Sequence, residues 1–286
     1  MMDEFVAACI QLRSSRDVSA NLETTIALIR EAVRDSGANF VQTPEMTNLL
    51  VRSRDELFEK IRPEEDDPFV QALSKLAGEL KIVLHVGSLA VLAARDVAAN
   101  RGYMIGPNGS IAARYDKIHM FDVDLPNGES WRESSTYQPG TQARVVDLPV
   151  GRVGMGICYD VRFPDLFRRQ ARAGATVLTA PAAFTRQTGQ AHWHVLQRSR
   201  AIENGAFVIS AAQTGHHEDG RETFGHSVIV DPWGKVLSEQ ADDQPGYGAA
   251  TIRLKDAENA RKSVPVLKNE REFDLEEVSF QVVKET

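Results

Sequence analysis

Cys158 sits in the run Gly154-Met155-Gly156-Ile157-Cys158-Tyr159-Asp160. An apolar strand gives way there to Arg162-Phe163-Pro164-Asp165-Leu166, and Pro164 suits the first turn of a helix. A cysteine at such a junction has the setting of a nucleophile, because a helix N-terminus favours a thiolate and an oxyanion. Strand alternation puts Val153, Met155 and Ile157 on one face and Gly154, Gly156 and Cys158 on the other. The glycines are expected to leave room for a substrate on the cysteine's side. The competing reading is a buried structural cysteine. The other cysteine is Cys9, so no disulfide framework is implied.

Charged residues offer partners for a thiol. Glu45 follows Pro44 at the end of a predicted strand, where α/β sheets place their sites. Lys117 lies in Arg114-Tyr115-Asp116-Lys117-Ile118-His119, just after another. Glu133 sits in Trp131-Arg132-Glu133-Ser134, within a polar stretch over 121–140 that has little periodicity. Taken singly, each reads more simply as a surface residue. His192 and His194 are two apart on a predicted helix and diverge. His216-His217 with His226 is weighed as a metal set and set aside, since adjacent histidines in a Gly-rich loop are usually solvated or face substrate. No Cys-x-x-Cys pair, His-Glu-x-x-His motif, phosphate loop or dinucleotide fingerprint occurs. No metal or cofactor is expected.

The elements around these residues read as α/β. A buried strand over 5–12 precedes a helix with Leu22, Ile26, Ile29 and Val33 on one face, capped by Asp17 or Ser19 and stopped by Gly37. A strand over 39–43 follows, then a helix over 68–80 and a strand over 82–92. Pro107-Asn108-Gly109 joins a hairpin from 103 to 115. Strands are predicted at 145–148, 153–157, 175–180, 207–212, 227–230 and 249–254. Helices are predicted at 164–173 and 191–204, the second with Trp193, Leu196 and Ile202 aligned. No linker or repeat divides the 286 residues, so one domain over 1–286 is expected.

Composition narrows the partners. The net charge of −7 argues against broad binding to nucleic acid or anionic membranes. No run of 18 apolar residues occurs, and the start is acidic where a secretory signal would be basic. Two cysteines suit a reducing compartment. The expected location is the cytoplasm.

Together the blocks resemble the nitrilase superfamily of carbon–nitrogen hydrolases, in its Nit-type amidase branch. The blocks are Thr43-Pro44-Glu45-Met46, the segment 115–122 around Lys117, the segment 154–164 around Cys158, and Gly225-His226-Ser227 with Asp231-Pro232-Trp233-Gly234. Pro181-Ala182-Ala183-Phe184 and the stretch from His192-Trp193 to Arg200-Ala201 also fit. The resemblance implies a four-layer α-β-β-α sandwich and a homodimer or higher oligomer, for which 264–267 is one interface candidate. It implies Glu45 as general base, Lys117 as the lysine, Cys158 as nucleophile and Glu133 as a second glutamate. Asp116 is a modest variation on the family pattern.

An amide is unreactive, so such a site needs a strong nucleophile and a holder for negative oxygen. Glu45 would take the thiol proton, and Lys117 with the Tyr159 backbone N–H would hold the oxyanion. Two carboxylates beside one lysine should push their pKa values apart. The branch acts on small amides such as 2-oxoglutaramate or deaminated glutathione, giving acid and ammonia, with N-carbamoyl compounds as a further class. Both named substrates carry a carboxylate remote from the amide. His119, Arg162, Arg186 and His216 are the candidates to touch substrate through polar groups, and Phe184 and Thr185 to wall the pocket. A papain-like Cys–His hydrolase, with His119 as base, is the rival.

Overall fold

The computed structural model describes residues 2–126 and 128–280. Its layering is visible in the first strand, β1 (Glu4–Gln11), which is buried on both faces. Phe5, Ala7 and Cys9 face a core shared with a second sheet, while Ala8 and Ile10 face helices. That explains why the run is almost continuously apolar.

α1 (Val18–Ser36) follows, with the Asp17 side chain accepting from the Ser19 and Ala20 amides and Gly37 closing it in the left-handed conformation. Next come β2 (Phe40–Gln42), α2 (Arg54–Lys60), α3 (Pro68–Leu80), β3 (Val83–Ala94), β4 (Val97–Ile105) and β5 (Ile111–Asp116). The long polar stretch holds a small hairpin, β6 (Asp122–Asp124) with β7 (Ser130–Arg132), and a 3-10 turn at Glu133–Ser135. Then β8 (Arg144–Leu148) and β9 (Gly151–Met155) lead to a 3-10 turn at Cys158–Arg162, α4 (Pro164–Arg172), β10 (Val177–Thr179), α5 (Arg186–Asn204) and β11 (Phe207–Ser210). The hairpin β12 (Thr214–His216) and β13 (Glu222–Phe224) precedes β14 (Ser227–Val230), β15 (Val236–Gln240), β16 (Gly246–Arg253), α6 (Leu254–Ser263) and α7 (Val266–Asn269).

Two six-stranded sheets result, ordered β16-β1-β2-β3-β4-β5 and β15-β14-β11-β10-β9-β8. Their central strands run parallel and their outer strands antiparallel. Ile29 of α1 and Phe69, Leu73 and Leu76 of α3 cover the outer face of the first sheet. Phe167 of α4 and Trp193 and Ala201 of α5 cover the second. The order of layers is α-β-β-α. No helix among the described residues is long and apolar enough to cross a membrane.

The sheets meet tightly at Gly87 in β3. A Cβ there would lie 2.6 Å from the Pro181 Cβ on the other sheet's side. Only glycine fits, and the Pro181 carbonyl in turn accepts from the Cys158 amide at 2.8 Å.

Two readings from sequence are corrected here. α5 begins at Arg186 rather than 191, because the Thr185 side chain caps it by accepting from the Thr188 amide. Its buried face is Trp193, Gln197, Arg200, Ala201 and Asn204, and Ile202 faces outward. The strand before Cys158 also stops early, at Met155. A Cβ on Gly154 would lie 2.6 Å from the Gln170 side chain, and one on Gly156 2.9 Å from the Phe167 ring. These glycines admit α4, not a substrate.

Candidate active site

The first sheet delivers a carboxylate, an ammonium and an amide to one place, and the turn after the β6–β7 hairpin adds a second carboxylate. Glu45 follows β2, and Lys117 follows β5; both side chains are buried. The Lys117 ammonium donates to Glu45 Oε1 at 2.9 Å and to Glu133 Oε1 and Oε2 at 3.1 and 2.8 Å. Asn100 of β4 donates from Nδ2 to Glu45 Oε1 at 2.8 Å and to Glu133 Oε1 at 3.1 Å. The Phe121 amide donates to Glu133 Oε2 at 2.7 Å, and the Ala183 amide to Glu45 Oε2 at 2.9 Å. The cation is thus clamped between two carboxylates, each oriented by further donors.

The second sheet delivers the thiol. Cys158 has φ 49°, a left-handed value that a residue with a side chain adopts at a cost of about 1–2 kcal/mol. Its thiol lines the same cavity as Glu45, close enough to feel that carboxylate's charge. The turn is held by Asp160, which is fully buried. Asp160 Oδ2 accepts from Tyr115 Oη at 2.7 Å and from the Ile157 amide at 2.9 Å. Its Oδ1 accepts from the His119 amide at 3.0 Å and meets His119 Nδ1 at 2.6 Å. One carboxylate therefore ties the cysteine turn to the lysine segment.

Burial alone would raise the Glu45 pKa, but the Lys117 charge and hydrogen bonds from Cys158, Lys117 and Asn100 hold it below the ordinary range. Burial disfavours a charged Lys117, yet Glu133 and Glu45 push its pKa well up. Burial and then the Glu45 charge push the Cys158 thiol well up. The resting set is carboxylate, ammonium and thiol. The sequence suggested a helix terminus favouring a thiolate at rest; α4 begins only at Pro164, and burial dominates. Cys9 is out of reach of any substrate, with its thiol pushed up to about 12 by burial.

A cavity of about 400 Å³ opens onto this set. Glu45, Lys117, Glu133, Cys158, Tyr159, Arg162, Phe184 and Thr185 all line it. Arg162 is half-buried, packs over Phe184 at 5.1 Å and Tyr159 at 5.8 Å, and meets His192 Nδ1 at 3.2 Å. His119, Arg186 and His216 are absent from the lining. His119 stacks on Phe163 at 3.5 Å and bonds Asp160. Arg186 is paired with Asp243 and Glu222, and His216 is exposed beside Glu222. Among the described residues no histidine lines the cavity, which removes the geometric basis for a Cys–His hydrolase. A larger groove of about 790 Å³ lies elsewhere, and there Arg16 and Lys60 already pair with Glu56.

Asn100, Asp160, Arg52 and Arg221 escaped the sequence reading. Arg52 and Arg221 both lie over the Trp131 ring, at 4.9 and 5.1 Å. Asn100 had one signal, an amide placed between the apolar Val97-Ala98-Ala99 run and Arg101. Asp160 had another, a carboxylate two residues after the cysteine.

The fold and this site define a hydrolase of carbon–nitrogen bonds other than peptide bonds. The carbon–nitrogen hydrolase family profile matches residues 6–262, and the chain belongs to that family. It is 37% identical over 269 residues to a deaminated glutathione amidase of Yersinia enterocolitica, covering 92% of each chain. It is 38% identical over 272 residues to an omega-amidase of Homo sapiens, covering 94% of this chain and 96% of the other. The solved structure of Saccharomyces cerevisiae Nit3, a member of branch 10 of the nitrilase superfamily, superposes with a TM-score of 0.84 at 32% identity, covering 94% of this chain and 97% of that one.

Proposed function

We propose that this chain hydrolyses the amide of a small 2-oxo acid derivative through a thioester on Cys158, with deaminated glutathione favoured over 2-oxoglutaramate. The observation that carries the reading is the meeting of a thiol, a carboxylate and a clamped ammonium on the wall of one cavity. Glu45 takes the thiol proton as sulfur attacks the carbonyl carbon. Lys117 and the Tyr159 N–H hold the oxyanion. Glu45 then gives its proton to the leaving amine. A water, deprotonated by Glu45, cleaves the thioester, and the proton returns to sulfur as the acid departs. Glu133 keeps Lys117 aimed and balances its charge. Phe184 and Thr185 wall the pocket, and Arg162 takes the substrate carboxylate.

The leaving amine differs between the two substrates. 2-Oxoglutaramate releases ammonia, whereas deaminated glutathione releases cysteinylglycine, so ammonia is not its product. 2-Oxoglutarate is common to both. Deaminated glutathione also carries two carboxylates, and Arg52 and Arg221 over Trp131 supply cations beyond Arg162. Purified protein given each substrate in turn, with 2-oxoglutarate followed by a coupled dehydrogenase, decides the preference. Silence on both moves the substrate to carbamoyl or simple aliphatic amides. Arg162→Leu should raise KM for the preferred substrate by at least about tenfold, the scale of a lost charge-assisted hydrogen bond. Butyramide turnover should be unaffected; an equal loss on that neutral amide would remove Arg162 from carboxylate binding.

The pH profile tests the resting set. Glu45 must be ionised to act as base, and its pKa is held low. Activity should therefore fall only on the acid side, below the range of an ordinary glutamate. It should not climb through about pH 8.5, where a free thiol ionises. A rise centred near the ordinary histidine value of about 6.5 would point to an imidazole base instead.

Residues 1–286 act as one hydrolase domain working in the cytoplasm, supported by two free, buried thiols. The chain works as a homodimer or higher homo-oligomer. Val195 and Ile202, two turns apart on the outer face of α5, are 65% and 51% exposed, and Trp233 is 60% exposed. Val264, before α7, is also exposed.

A further inference from the structure

Away from the cavity, two imidazoles and a carboxylate converge from three separate elements. His194 lies on α5, His226 just before β14, and Glu239 on β15. Glu239 Oε1 meets His226 Nδ1 at 2.6 Å and His194 Nε2 at 2.9 Å. The three ligand atoms lie within 4.8 Å of one another. Neither imidazole was expected to find the other: His194 looked divergent from His192, and His226 looked grouped with His216 and His217. Instead His217 is buried, bonding the Ser14 carbonyl and Thr223 Oγ1.

We propose that His194, His226 and Glu239 form a binding site for a first-row divalent cation of the zinc class. Two nitrogens and one oxygen suit zinc and its neighbours and disfavour calcium and magnesium, which take oxygen. Three protein ligands leave one position of a tetrahedral ion open to solvent. All three side chains are partly exposed, at 35%, 24% and 27%, so an ion can enter. Ligand distances of about 2.0–2.2 Å require only small outward shifts from the present contacts.

The surroundings are built to aim the rings. His226 is held at φ 57°, a strained value for a residue with a side chain. Its carbonyl accepts from Trp193 Nε1 at 2.8 Å, and its ring stacks on Phe224 at 4.2 Å. The His194 ring meets His226 edge-on at 5.3 Å. β15 is the edge of the second sheet, so the ion would pin that edge to α5. Trp193 also packs on Phe184 of the cavity wall at 5.1 Å, which places the clamp directly behind the pocket.

The test uses untagged Cys158→Ala protein, so that the reactive thiol does not compete for metal. Zinc is titrated against a chromophoric chelator, and Co²⁺ is followed by its visible absorption. One ion per chain should bind, with a rise in melting temperature. His226→Gln and Glu239→Gln should each weaken zinc binding by at least tenfold and abolish the melting shift. Glu239 is on an edge strand, so its variant stays folded even if His226→Gln does not. No binding, or equal binding by parent and variants, overturns the site.

Discussion

Cys158→Ala should lose at least about 10⁴-fold in kcat while keeping the melting temperature of the parent, the scale seen when a nucleophile is removed from a concerted set. The side chain is small, and Ala inherits the same left-handed backbone, so little packing changes. The Glu45–Lys117–Glu133 clamp also stays intact, because its hydrogen bonds come from Asn100, Phe121 and Ala183. Rapid-quench mass spectrometry should find an acyl adduct on the parent and none on the variant. Turnover by the variant above about a hundredth of the parent rate would end the thioester mechanism, since the oxyanion donors alone leave far less.

Lys117→Met should damage the chemistry and the fold together. The ammonium is the shared partner of the buried Glu45 carboxylate and the partly buried Glu133 carboxylate. Removing one member of a buried ionic set costs about 3–5 kcal/mol, because uncompensated charge is left behind. Loss of the oxyanion donor should cut kcat by a further factor of about 10²–10³. The sign of the pH effect sets this variant apart. In the parent, the depressed Glu45 pKa contributes stability above the unfolded value, and this is lost as pH falls through the folded value. In the variant the facing carboxylates must share a proton, so the folded pKa of the pair rises. Its melting temperature should then recover as pH falls toward the ordinary glutamate range. A variant that melts like the parent at neutral pH would show that Lys117 does not hold the two glutamates together.

What was legible in the sequence was whatever has a local pattern. The double-sided burial of β1, the Asp17 cap and Gly37 stop of α1, and the β4–β5 hairpin all follow from neighbours in the chain. Glu45, Lys117, Glu133 and Cys158 stood out because each lies at the end of an element or in the long polar stretch. Their convergence was available only through resemblance, since contacts between residues 72 apart leave no trace in periodicity. Asn100 and Asp160 were missed because a buried polar residue in a strand or turn declares its purpose only through its partners. Arg186 and His216 were misjudged for the converse reason. The acids paired with Arg186, namely Glu222 and Asp243, lie far along the chain, and Glu222 meets His216 only because a hairpin sets the two directly opposite each other.

The close approach at Gly87 has a consequence for the integrity of the reaction. The proton-handling groups hang from one sheet and the sulfur from the other, and a single missing methyl sets how near they come. Chemistry here is a property of a seam, owned by neither half. A chain cut between β5 and β8 would part Glu45 and Lys117 from Cys158 and leave β16 with the second sheet, so activity could return only when β16 re-paired with β1 and the sheets met again.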